Sequence, residues 1–134
     1  VSIPRDLLGS EPFDHRFTSY GWEDCELGRR LSSAGLPIVY RRAASTRHVH
    51  PQTLAQFLAR QAHVGRAVEV LYQIHPELEG SPWLPPRRPR FRHRVFSFVY
   101  RAAALLAAPL DRAGIRLPLR VYHGLVAWAF HSGR

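Results

Sequence analysis

The chain has 134 residues, 46% hydrophobic and 22% charged, which is about one globular domain and excludes both a disordered polymer and a two-domain cofactor enzyme. Its formal net charge is +9, and all 19 basic residues are arginines. Cys25 is the single cysteine, which excludes an internal disulfide and a zinc or redox thiol framework and fits a reducing compartment. The chain starts at Val1 and contains no Met, so it reads as a piece of a longer protein without a recognisable signal peptide.

In chain order, residues 2–8 suggest a strand end running into a short helix, with Pro4 in a tolerated first-turn position. Residues 11–20 mix Pro, Asp and aromatics without period and read as an ordered loop. A helix is predicted from Trp22 to Ala34: Glu23, Asp24 and Glu26 fill its first turns, Arg29 and Arg30 come later, and Gly35 fits the position after the last turn. Ile38-Val39-Tyr40 is a short β-type run, and residues 43–51 form a loop carrying two histidines. Leu54, Phe57, Leu58, Val64, Val68, Leu71 and Tyr72 recur at helical spacing and predict a long amphipathic helix from Thr53 to about Ile74. Five prolines and Gly80 between Pro76 and Pro89 mark a linker. Two more helices are predicted at 93–108 and 119–131, joined by a turn over 111–118.

Glu23 and Asp24 are adjacent acids at a helix start behind a Gly21-Trp22 turn. On charge alone they fit helix capping best, because acids favour a first turn, and the functional alternative is a general base held rigidly at the floor of a cleft. Glu26 is turned about 200° from Asp24 around the helix and reads as structural. Trp22 offers either an apolar face to a sugar or a buried anchor for the helix. His48-Val49-His50 alternates in an extended loop, so the rings are expected on opposite sides. The pair is either a chance occurrence in a His-containing loop or a metal chelate.

The run Ser2-Ile3-Pro4-Arg5, then Phe13-Asp14-x-Arg16-Phe17, then Gly21-Trp22-Glu23-Asp24-x-Glu26-Leu27-Gly28-x-Arg30-Leu31 resembles the acceptor half of family 2 glycosyltransferases with the GT-A fold, of the Trp-Glu-Asp motif type. The likeness spans roughly residues 1–75, with Glu11-Pro12 and His15 departing from the usual pattern. It implies an α/β fold class: residues 1–75 as the C-terminal, acceptor-side portion of a GT-A domain, 76–90 as a Pro/Arg-rich linker, and 91–134 as a basic amphipathic helical tail. The nucleotide-binding strands and the Asp-x-Asp motif would lie upstream, so this chain alone is expected to be inactive.

The resemblance further implies an inverting transfer of a sugar from a nucleotide-diphosphate donor to a glycan or lipid-linked acceptor. Asp24 would be the general base, with Glu23 beside it, and Trp22 and Tyr20 would touch the acceptor. His48, or alternatively His50, would complete a Mn2+ or Mg2+ site, and Arg42 and Arg47 would face the diphosphate.

Residues 81–134 carry ten Arg and one acid, so the charge excess sits in the last third. Guanidinium suits phosphates, and this segment is expected to meet something anionic. Its aromatics sit at helical spacing with Val and Leu, which disfavours base stacking in a nucleic-acid complex and favours a membrane surface, with Phe96, Tyr100 and Trp128 as the buried aromatics. A tail that covers the rest of the chain or pairs with another subunit is the third possibility. No uncharged apolar run reaches the ~18 residues a spanning helix requires, which places the expected location in the cytoplasm, at the inner face of the membrane.

Overall fold

The structure is a computed structural model that describes residues 2–86 and 97–133. Among them are four α-helices and no strand: α1 (Glu23–Ser33), α2 (Leu54–Ile74), α3 (Ser97–Arg112) and α4 (Leu119–Ser132), with single 3-10 turns at Arg5–Leu7 and Pro76–Leu78. The four predicted helices are thus present; residues 93–96 of the third lie outside the described residues, and α3 runs on to Arg112, past the expected end at 108. It runs through Pro109, whose ring lies on the solvent side where the lost hydrogen bond leaves no buried group unsatisfied.

The α/β expectation is overturned. Ile38, Val39 and Tyr40 are 74%, 62% and 86% exposed and are not part of any strand. A strand exists only beside a partner that accepts its backbone hydrogen bonds, and no second β-type run lies against this one among the described residues. Helices without a strand among the described residues are not a portion of a GT-A sheet.

The long helix α2 organises the rest. Thr53 caps it in a reciprocal box with Gln56: the Thr53 hydroxyl accepts from the Gln56 N–H, and the Gln56 carboxamide accepts from the Thr53 N–H. The Asp111 carboxylate, from the end of α3, accepts a further first-turn N–H from Leu54 at 3.0 Å. Leu54 and Leu58 of α2 close a core with Ala107 of α3 and Leu125 and Ala129 of α4, and Tyr100, Val121, Tyr122 and Trp128 pack on its edge. Val68, Leu71 and Tyr72 are buried further along α2, and the Tyr72 hydroxyl donates to the Pro85 carbonyl, tying the proline-rich stretch to the helix. The interface of α2 with α4 depends on glycine: a Cβ on Gly65 would lie 1.9 Å from the Phe130 carbonyl oxygen.

This packing also corrects which residues of the last third face outward. Tyr100 and Trp128, expected on a membrane face, pack against the core, while Phe96 lies outside the described residues, as do Arg90, Arg92 and Arg94. The reason is that α2 presents an apolar stripe long enough to take α4 along it, which sequence spacing within α4 does not reveal.

Candidate functional site

Glu23 and Asp24 stand at the start of α1, behind an unusual backbone. Gly21 has φ 118° and Trp22 has φ 71°, so two successive residues are left-handed and the second is not glycine. A bulky residue there costs of order 1 to 3 kcal/mol and persists only when its surroundings hold it. Two bonds do so. The Trp22 indole N–H donates to the Val64 carbonyl of α2 at 3.1 Å, and the Glu23 carboxylate accepts the Gly21 N–H at 2.7 Å. Trp22 is therefore the helix anchor, half-buried on α2, and Glu23 is committed to the turn.

Asp24 is exposed, with its Oδ1 accepting the N–H of Cys25 at 2.8 Å. It stands at the rim of a shallow groove of about 510 Å³ lined by Asp24, Cys25, Gly28, Arg29, Ser32 and Ile38. The Cys25 thiol is pushed up by partial burial and then by the Asp24 and Glu23 carboxylates, so it stays protonated at neutral pH and is a poor nucleophile. Tyr20 is about half exposed and stacks under the Arg60 guanidinium at 4.1 Å, away from any role with Asp24 that a hydrogen bond records.

Glu26 is the buried acid, 2% exposed. Arg30, one turn on, reaches its two oxygens at 3.1 Å and also donates to the Pro12 carbonyl at 2.6 Å, so one guanidinium ties α1 to the preceding loop. His75 Nε2 stands 3.7 Å from the same carboxylate, and Glu77 joins His75 to Arg29 on the other side. Removing Arg30 should leave a buried carboxylate short of donors: Arg30→Met should lower stability by about 2 kcal/mol, and adding Glu26→Gln should recover part of the loss, both read from urea unfolding. In the preceding loop, a hydrogen bond from Arg16 holds the partly buried Asp14 carboxyl down at about 2. A depressed carboxyl stabilises the fold above its ordinary value and loses that contribution as pH falls toward 2.

His48 and His50 are exposed, and their ring centroids lie 5.6 Å apart edge to face. They do not point to opposite sides, because residues 48–50 form no strand that would impose alternation. Among the described residues, no group of three or more His, Cys, Asp or Glu side chains could hold a metal. Two imidazoles without a neighbouring carboxylate do not fit Mn2+ or Mg2+, which take mainly oxygen ligands. Arg42 and Arg47 are exposed in the same loop and take part in no ion pair among the described residues.

A second feature, missed by the sequence reading, is the outer side of α3. Ala103, Ala104, Ala107 and Tyr100 face the core. On the opposite side Phe98 is 80% exposed, Leu105 74%, Leu106 69% and Val99 56%. At about 100° per residue, Phe98, Ala102, Leu105 and Pro109 fall within an arc of about 60°, with Val99 and Leu106 on one flank and Arg101 and Arg112 on the other. Apart from Tyr100, the helix turns its small residues inward and its large apolar ones out. The signal was present in the sequence as two opposed stripes, small and large, at the same period.

No known protein family matches the chain, and no curated protein or solved structure is similar to it. With helices and no strand among the described residues, and no match to any family or known protein, the likeness to family 2 glycosyltransferases is overturned. The motif residues that carried it adopt a helix start whose roles are local: anchor for Trp22, turn closure for Glu23 and ion pairing for Arg30.

Proposed function

We propose that this chain is a basic helical module that docks on an anionic membrane surface through the outer side of α3. The observation that carries the reading is the inverted helix, with Phe98, Leu105 and Leu106 in solvent and alanines in the core. Water disfavours such an arrangement, whereas the headgroup boundary of a bilayer accepts large apolar groups beside arginines. Charge favours lipid over a neutral protein groove. Asp111 is the only acid of residues 81–134 and is occupied at the start of α2, and Arg101, Arg112, Arg116 and Arg120 take part in no ion pair among the described residues. No described helix is long and apolar enough to cross a membrane, so the docking is peripheral. The test is co-sedimentation with vesicles containing phosphatidylglycerol: binding should fall steeply as salt rises and be absent on phosphatidylcholine alone. Equal binding to both vesicles would remove the electrostatic half of the reading.

A second reading is favoured by the strained turn at Trp22. Strain is retained where it positions something, and the bonds that hold Trp22 and Glu23 leave Asp24 exposed at the groove rim. Asp24 would accept the proton of an acceptor hydroxyl as that oxygen attacks a sugar of a nucleotide-diphosphate donor, with the remaining donor contacts supplied from outside this chain. In the protein that carries this segment, Asp24→Asn should lower nucleoside diphosphate release by ~10² to 10⁴ while leaving thermal stability unchanged. Unchanged release would dismiss Asp24 from that role.

A further inference from the structure

Residues 37–42 present an unusual surface. Ile38, Val39 and Tyr40 are three consecutive large apolar residues at 74%, 62% and 86% exposure. A consecutive exposed apolar run is out of place on a free surface unless something covers it. The segment has neither helix nor turn from Leu36 to Tyr40, and Leu36 precedes Pro37, which biases it to an extended backbone. Among the described residues, no backbone N–H from Ile38 to Ala43 has an intramolecular acceptor. Ile38 nevertheless touches α1, with its Cδ1 3.6 Å from where a Gly28 Cβ would lie, so the start of the run is held near the helix.

We propose that residues 37–42 are a docking strand that pairs edge to edge with an extended acidic segment of another polypeptide. Extended partners add to such an edge through backbone hydrogen bonds, and alternating side chains select the partner. The charge selects acid. No Asp or Glu occurs between Glu26 and Glu69, and Arg41, Arg42 and Arg47, which lie beside or just after the run, take part in no ion pair among the described residues. An incoming strand with carboxylates at alternate positions would meet Arg41 while its apolar positions cover Ile38 and Tyr40, or meet Arg42 while they cover Val39. The surface is built from other residues than the outer side of α3, so variants of one leave the side chains of the other in place.

The test uses a fluorescein-labelled heptapeptide of alternating Val and Glu, read by fluorescence anisotropy against the chain. The peptide should bind, and its Val/Lys counterpart should not. Val39→Pro and Tyr40→Pro each remove one backbone donor, and the one whose N–H faces the free edge should weaken binding at least tenfold. Both positions lie outside the helices, so far-ultraviolet circular dichroism should be unchanged. Arg41→Gln with Arg42→Gln should weaken binding most at low salt. Absence of binding, equal binding of the lysine peptide, or wild-type affinity in both proline variants would overturn the pairing. Displacement of the peptide by phosphatidylglycerol vesicles would assign the run to the membrane instead and would overturn it as well.

Discussion

Gly65→Ala should destabilise the chain by about 2 to 3 kcal/mol, against the direction that helix propensity alone gives. In the middle of a solvent-facing helix the same change gains up to about 1 kcal/mol, because alanine loses less backbone entropy on folding. At Gly65 the added Cβ would lie 1.9 Å from the Phe130 carbonyl oxygen and 2.9 Å from its carbon. The obstacle is the backbone of α4 and not a side chain that could rotate, so α4 must move off α2. Leu125 and Ala129 lie on the same helix and are fully buried, so that movement opens the core. Gly28→Ala is the control, since its Cβ would meet only Ile38 Cδ1 at an ordinary 3.6 Å. The two substitutions should shift the urea midpoint in opposite directions. A shift of the same sign in both would mean that α2 and α4 do not approach as closely as described.

Phe98→Ser with Leu105→Ser should lower partitioning onto phosphatidylglycerol vesicles by about a hundredfold. Burying a Phe or Leu side chain contributes roughly 1.5 to 3 kcal/mol, and the lower figure for each gives about 3 kcal/mol for the pair. The two side chains are 80% and 74% exposed, so replacing them removes little from the folded core and the melting temperature should hold. Arg101→Gln should behave differently, with a smaller loss of binding and a shallower salt dependence, because it removes a charge and leaves the apolar contact. If the double serine variant binds as the parent does, the outer side of α3 is not the docking surface.

Helix positions were legible along the chain wherever period and end signals agreed. Leu54, Leu58, Val68, Leu71 and Tyr72 marked α2, and the acids of the first turn with Gly35 marked α1, because 3.6-residue spacing and terminal charge are local properties. The Thr53-x-x-Gln56 box was a further local signal at the start of α2. Ile38-Val39-Tyr40 shows the limit of such signals. Its composition is that of a strand, but a strand requires a neighbour, and residue type carries no information on whether one is present.

The acidic turn divides in the same way. Adjacent carboxylates at a helix start could be read from the chain, and Glu23 and Asp24 keep local partners in Gly21 and Cys25, yet the duties of Trp22 and Glu26 depend on residues far away in sequence. Trp22 reaches Val64, and the Glu26–Arg30 pair is completed by Pro12 and His75. The faces of α3 were likewise set from outside the helix. Both of its stripes obey helical period, and the alanine stripe is the one turned inward because the space left by Leu54, Leu58, Leu125 and Ala129 admits small side chains. Local patterning therefore determined that α3 is a helix with two apolar stripes. Only packing against α2 and α4 decided that the large one faces outward, since volume complementarity belongs to the assembled core and to no single segment.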